Sequence, residues 1–228
     1  MFTVFLSAGH GGSDPGAVAY GLKEKNINLQ ILLACKAELE RHGLKVVCSR
    51  TTDANDPVEE EVREANKSGA KIAVSFHTNA GKGDGSETFY HSTSVSGKIL
   101  AHLCEKYVKE LGQNSRGAKS TNTLYFLRKT IMPAVLCECA FIDNDSDNNI
   151  IDTAAEQKKF GVAYAKGILE YLAVTYVEPT KETTKKAQTE SNKLYRVQVG
   201  AFANKKNADA ALKKAREAGF SGAFIDEV

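Results

Sequence analysis

At 228 residues the chain has room for one principal domain with something smaller beside it, and its 42% hydrophobic, 25% charged composition is that of an ordinary globular protein. Its 30 Lys and Arg against 28 Asp and Glu leave a formal charge of +2, too balanced for nucleic acid or an anionic membrane surface as the main partner. No apolar run approaches the roughly 18 residues that a membrane span needs.

From residue 1 to 173 short apolar runs alternate with helical periodicity, which favours an α/β layer architecture. FTVFLS (2–7) is a β-rich run that passes straight into the loop SAGHGGSDPG (7–16). EKNINLQILLACKAELERH (24–42) has Ile27, Ile31, Ala34 and Leu39 at helical spacing and stops at Gly43, a good helix terminator. LKVVCSR (44–50) reads as the next strand, and Asp56–Pro57 as the N-cap and first residue of the acidic helix PVEEEVREANKSG. KIAVSFH (71–77) and GSETFYH (85–91) are strands, and SVSGKILAHLCEKYVKEL (94–111) is a helix. TLYFLRK (123–129) and PAVLCECAF (133–141) complete six strands, and the amphipathic helix 154–173 closes the unit. Six strands interleaved with helices suggest a mostly parallel sheet covered on both faces, with functional groups at the carboxyl ends of its strands.

The composition then changes. Residues 177–193 are rich in Thr and Lys with almost nothing apolar after Val177, so 174–193 reads as a linker. Beyond it, LYRVQVGAF (194–202) alternates like a strand, 204–220 reads as a helix ending at Gly219, and GAFIDEV (222–228) as a second strand. Such a small β-α-β unit buries too little apolar surface to stand alone and needs a partner surface.

Five scattered cysteines, Cys35, Cys48, Cys104, Cys137 and Cys139, form no CxxC pair and read as reduced thiols rather than a disulfide framework. Met1 to Leu6 reads as a strand and not as a signal peptide. The expectation is synthesis in the cytoplasm, with any work outside the cell waiting on a separate release route.

Two histidines stand at strand ends, His10 behind the first strand and His77 in SFHTN, while Glu24 opens the first helix. In a parallel sheet both imidazoles emerge at one edge, and the glycine loop returns the start of the helix over it. Two imidazoles and a carboxylate match the ligand set of a catalytic zinc with its fourth position open. The separations, 13 residues between His10 and Glu24 and 52 between Glu24 and His77, exclude a local zinc finger. Gly9, Gly11 and Gly12 permit close backbone approach there. Glu138 is the one charged residue in the apolar run PAVLCECAF. It is either a structural ion pair with a buried arginine such as Arg50 or Arg63, or a general acid or base tuned by burial. Asn79, two residues after His77, either touches substrate or serves as a turn residue.

SAGHGGSDPGA, the glutamate of LKEKNIN, SFHTNA and PAVLCECAFIDN together resemble the four signature blocks of the zinc-dependent N-acetylmuramoyl-L-alanine amidases of the amidase-3 type, in the right order over residues 1–173. The resemblance implies a mixed, mostly parallel six-stranded sheet flanked by helices, zinc ligands at His10, Glu24 and His77, and the catalytic acid/base at Glu138. The implied reaction is hydrolysis of the peptidoglycan amide between N-acetylmuramic acid and L-alanine by zinc-activated water. Ser7–Ala8 departs from the Asp-Pro that commonly precedes Gly-His, and Cys137 and Cys139 are unusual neighbours for the glutamate. Arg50, Asp53, Arg63 and Asn66 fall where the family tends to keep polar residues, and packing of loops explains them at least as well.

The tail from 194 to 228 is similar to one repeat of the SPOR type, a peptidoglycan-binding module of two β-α-β halves. The tail is either a truncated remnant or one half of a shared module; two chains each donating one half would complete the sheet, so a homodimer through residues 194–228 is expected. Expected partners are therefore peptidoglycan and a second copy, with no nucleic acid and no membrane span. The setting suits a phage endolysin, whose economy of parts it shares, or a bacterial autolysin freed when a mother cell lyses. A non-catalytic wall-binding protein and a zinc peptidase acting within the stem peptide are the alternatives.

Overall fold

In the computed structural model, described here over residues 2–179, 200–218 and 225, the chain falls into two compact units, Met1–Val177 and Glu178–Val228. The first contains strands β1 (Thr3–Ala8), β2 (Val18–Ala19), β3 (Leu22–Lys23), β4 (Lys45–Cys48), β5 (Ile72–Asn79), β6 (Ser86–His91), β7 (Ser115–Thr121) and β8 (Ala134–Phe141). Its helices are α1 (Glu24–Arg41), α2 (Val58–Lys67), α3 (Val95–Lys109), α4 (Tyr125–Lys129), α5 (Asp145–Asn148) and α6 (Ala154–Tyr171).

Six strands form one sheet in the order β4-β1-β5-β8-β6-β7. Neighbours β4, β1, β5 and β8 are parallel; β6 runs against β8, and β7 runs with β6. The remaining pair, β2 and β3, is a short hairpin leading into α1.

Alternate residues of the central strands feed two cores, as the two-residue period of a strand dictates. Val4 and Leu6 of β1, Ile72, Val74 and Phe76 of β5, and Val135 and Cys137 of β8 pack under α1, α3 and α6. On the opposite face Phe5, Ala73, Ala134 and Leu136 meet Val62 and Ala65 of α2 and Phe126 and Leu127 of α4. The helices on this second face are short, and the strand residues beyond Leu136 on it turn polar. That is where the site lies.

Three expectations are corrected. Residues 123–129 do not form a strand: α4 occupies Tyr125–Lys129. Burial of the adjacent Phe126 and Leu127 in one core suits a helical turn and not an alternating strand, and Asn66 holds the turn's exit by donating to the Lys129 carbonyl and accepting from the Ile131 amide. The sixth strand is instead β7, SRGAKST, whose polar sequence reflects an edge position with no residue fully buried. Asp56 does not cap α2, which begins at Val58 without a side-chain cap; its carboxyl turns to Ser49 and the nearby Arg50.

All five cysteines are unpaired. Residues 174–177 belong to the first unit: the Val177 amide donates to His42 Nε2, and the Tyr176 ring stacks on His42 at 5.1 Å. In the second unit α7 (Lys205–Glu217) is capped by the Asn204 side chain, which accepts from the Lys206 amide. The strands expected at 194–202 and 222–228 lie outside the described residues except for 200–202 and Ile225, which are not in strands. No helix among the described residues is long and apolar enough to cross a membrane.

Candidate metal centre

The loop after β1 is built to bring three distant side chains together. Parallel pairing of β1 with β5, Ala8 opposite Phe76, carries His10 and His77 to the same edge of the sheet. The Gly9 amide extends this ladder by donating to the Phe76 carbonyl at 3.0 Å. A Cβ on Gly9 would stand 2.1 Å from the His77 ring, so only glycine lets the two strands run this close. His10 itself sits in the left-handed region at φ 64°.

The second clamp is cationic. Arg50, buried from solvent, donates through Nε to the Ala8 carbonyl at 2.8 Å and through Nη2 to the Lys25 carbonyl at 2.7 Å, tying loop, strand and helix together. Lys25 donates to the Gly12 carbonyl and to Asp53 Oδ2, each at 2.7 Å, and Asp53 accepts from the Gly12 amide. Gly11 and Gly12 therefore pack on residues 54 and 55 and not around the cluster; Gly16 is the glycine beside it, next to Glu24 and His10.

The result is a trio in which His10, Glu24 and His77 offer ligand atoms all within 4.8 Å of one another. Glu24 Oε1 lies 3.3 Å from His10 Nε2 and 3.1 Å from His77 Nδ1. Its other oxygen accepts from the Ala17 amide, which fixes the carboxylate's orientation. A register shift between β5 and β8 just after His77 frees the Thr78 amide from the ladder to donate to Glu24 Oε1. Asn28, one helical turn beyond Glu24 and fully buried, bridges the Gly9 carbonyl, Glu24 and the Thr78 hydroxyl. Asp14 accepts from His10 Nδ1 at 2.8 Å, which leaves Nε2 facing the cluster.

The electrostatics are those of a cation site. The Glu24 hydrogen bond, aided by Asp14 and opposed by burial, raises His10 to about 9. Burial alone would raise the Glu24 carboxyl, yet the His10 and His77 hydrogen bonds hold it well below the usual carboxylate range. Burial opposes a charge on His77, but Glu24, Glu138 and Glu61 together raise its pKa. Three groups that draw positive charge onto themselves in this way are suited to a divalent ion, whose binding displaces protons.

Glu138 stands directly across the ladder from His77 on β8, and from Glu87 on β6. It is not a member of the trio, and it makes no ion pair with Arg50 or Arg63. Its Oε2 is buried without a hydrogen-bond partner, and burial, reinforced by Glu24 and Glu87, pushes its pKa up to about 7. A buried carboxylate kept poised near neutrality beside a cation site is what acid–base catalysis requires. Asn79 donates to Glu87 Oε1 at 3.2 Å, and its own oxygen accepts from the Ala80 amide at 2.8 Å.

Of the other polar residues singled out, Arg50 and Asp53 clamp the loop, Asn66 joins α2 to α4, and Arg63 pairs at the surface with Glu60. Asp14, Asn28 and Glu87 were not anticipated. Asn28 had a readable signal, a polar residue on the apolar face of α1, four residues after a candidate ligand. Glu87 had none, because its importance rests on a cross-strand register.

Comparison with known proteins agrees with this geometry. Residues 4–170 match the N-acetylmuramoyl-L-alanine amidase family, and residues 174–226 match the SPOR domain, a span beginning ahead of the half-repeat expected at 194. The chain is 33% identical over 229 residues to the sporulation-specific N-acetylmuramoyl-L-alanine amidase of Bacillus subtilis (strain 168), covering 99% of this chain and 85% of that protein. It is 38% identical over 178 residues to the endolysin of Bacillus phage SPP1, covering 74% of this chain and 65% of that one. Among solved structures, the amidase AmiC2 of Nostoc punctiforme superposes with a TM-score of 0.72 at 31% identity, covering 75% of this chain and 97% of its own. The chain belongs to the N-acetylmuramoyl-L-alanine amidase family, hydrolases that cleave peptidoglycan between N-acetylmuramic acid and L-alanine, and it carries a SPOR domain behind its catalytic unit.

Proposed function

We propose that His10, Glu24 and His77 hold a zinc ion and that Glu138 is the proton-transferring residue of the amidase. The donor set fits: two imidazole nitrogens and one carboxylate oxygen within 4.8 Å, with Asp14 orienting one imidazole and Asn28 and the Thr78 amide holding the carboxylate. Zinc bound there supplies a Lewis acid for the scissile carbonyl and lowers the pKa of water. The observation that carries the reading is Glu138 Oε2, buried and unpartnered one strand from His77. Glu138 accepts the proton of the attacking water and delivers it to the departing amine of L-alanine. Asn79 holds Glu87 beside it and lines the substrate side of the same row.

Digestion of purified peptidoglycan tests the assignment. Wild type should free the L-alanine amine and stop when chelated, while Glu138→Ala should keep its zinc and lose hydrolysis. Turnover surviving in Glu138→Ala would remove that role, full activity in metal-free protein would remove zinc, and new amines elsewhere in the stem would favour the peptidase alternative.

The SPOR domain is read as the glycan anchor, completed by a second copy. On α7 the small apolar residues Ala208, Ala211, Leu212 and Ala215 make a stripe at helical spacing in which none is fully buried, leaving surface for a partner. Sedimentation should give a dimer for the full chain and a monomer for residues 1–177; a dimer in both would refute pairing through the tail. The relative aligned over 99% of this chain is a bacterial sporulation amidase, and the phage endolysin aligns over 74%. That difference favours a bacterial lytic enzyme over a phage origin.

A further inference from the structure

Across the polar half of the sheet His77, Glu138 and Glu87 lie in one register row, so all three face the same side. The row does not end at Glu87. Ser86 pairs with Ser115, but Thr88 pairs with Ala118, so β7 gains one residue opposite Glu87. The extra residue falls at Arg116–Gly117, with Gly117 in the left-handed region at φ 81°. In a regular strand, residues 116 and 119 would point to opposite faces. The bulge turns both onto the Glu87 side: Arg116 Nε donates to Glu87 Oε2 at 2.7 Å, and Lys119 Nζ donates to the same oxygen.

Neutralising Glu87 does not account for this arrangement. One buried carboxylate, already bonded by Asn79 through its other oxygen, faces two cations, so a positive charge is left over at the edge of the row. Arg116 spends only Nε on Glu87, and its two terminal nitrogens make no hydrogen bond among the described residues. Its guanidinium also lies against the Phe141 ring at 5.2 Å, and its side chain is 39% exposed. A guanidinium pinned at one nitrogen, held on an aromatic face and open at its fork is pre-organised for a carboxylate.

We infer that Arg116 is a substrate-specificity residue, binding a free carboxylate on the peptide side of the scissile amide. The inference rests on Glu138 as the reacting centre of the amidase. Two strand steps separate Glu138 from β7, roughly 10 Å at the usual strand spacing, which an extended peptide covers in about three residues. Charge sets the direction: the lactyl carboxyl of the muramic acid is consumed in the scissile amide, so the anionic part of the substrate is the peptide.

The test uses full-length protein and purified peptidoglycan before and after carbodiimide-driven amidation of its free carboxylates, reading the initial rate at which L-alanine amines appear. Amidation should slow wild type about tenfold, the scale of a charged hydrogen bond. In Arg116→Gln the two rates should come within about twofold of each other. Arg116→Lys should recover part of the discrimination, and Lys119→Gln should keep it, since Lys119 faces the same Glu87 without the fork. Raising salt should shrink the wild-type ratio. Equal wild-type rates on the two substrates, or a ratio in Arg116→Gln as large as in wild type, would overturn the inference. Loss of L-alanine amines from both substrates would strike the amidase reading itself and the inference with it.

Discussion

Gly9→Ala is the sharpest perturbation of the candidate centre. The added Cβ would stand 2.1 Å from His77 Cε1 and 2.2 Å from Nε2, where ordinary carbon contacts need about 3.5 to 4 Å. Something must move by about 1.5 Å. The backbone at Gly9 cannot yield easily, because its amide donates to Phe76 and its carbonyl accepts from Asn28 and Arg50. The displacement therefore falls on the His77 ring, drawing Nδ1 away from Glu24 Oε1, now 3.1 Å distant. A misplacement of about 1 Å at a reacting centre costs on the order of 100-fold. Gly9→Ala should thus lose at least ~100-fold in kcat/KM with zinc bound more weakly, measured by peptidoglycan digestion and chelator competition. Gly43→Ala is the control: it strains a left-handed residue, φ 77°, but its Cβ meets nothing within 4 Å. It should cost about 1 kcal/mol in chemical denaturation and leave metal affinity intact. Wild-type activity and zinc affinity in Gly9→Ala would refute the close approach on which the centre depends.

Other outcomes follow from the same geometry. Asp14→Ala should weaken zinc about tenfold in chelator competition, the low end for an outer carboxylate because Asp14 is 64% exposed; unchanged affinity would make the His10 contact incidental. Glu138→Gln should stabilise the chelated protein. The native carboxyl titrates near 7, above its unfolded value of 4.5, so its ionisation opposes folding as pH rises through that window. The gain should be absent below pH 4.5 and reach about 3 kcal/mol above pH 7 in urea unfolding; a gain independent of pH would contradict burial as its cause. Phe126→Ala, in the smaller core, should cost about 3 to 5 kcal/mol, and a loss under 1 kcal/mol would mean that α4 does not hold that face.

How much of this was legible in the chain depends on the range over which the cause acts. The loop glycines, Glu24 at the helix start and His77 at a strand end are local patterns, and parallel pairing of their strands is enough to bring them together. Glu138 announced itself as a charge in an apolar run, although only the structure removes the arginine pairing that would have made it structural. The exchange of a strand at 123–129 for a helical turn turned on two adjacent aromatic and aliphatic side chains seeking one core, which β propensity does not register. Strand β7 hid for the opposite reason: an edge strand with no fully buried residue has no apolar alternation to read. The bulge at Arg116–Gly117 lay further out of reach, because register between strands 30 residues apart is a property of the assembled sheet.

The two faces of the sheet explain why the chemistry sits where it does. Three long helices cover one face, where the strand residues are mostly apolar and buried polar ones are spent on one another, as Ser86 and Thr88 are on Glu105. On the other face α2 and α4 are 10 and 5 residues long and cover only the apolar half. Strand residues further along that face are free to be charged, and their charges are arranged in order across the ladder: His77, Glu138, Glu87, then Arg116. Going from β5 to β7 the row passes from a metal-capable pole, through a carboxyl whose pKa is raised by burial and by nearby Glu24 and Glu87, to an exposed cation. A substrate lying across the strands would meet electrophile, proton carrier and anion site in that sequence. On the proposed roles the polarity of the row would orient the scissile amide, and short helices on one face are the structural condition that leaves the row open.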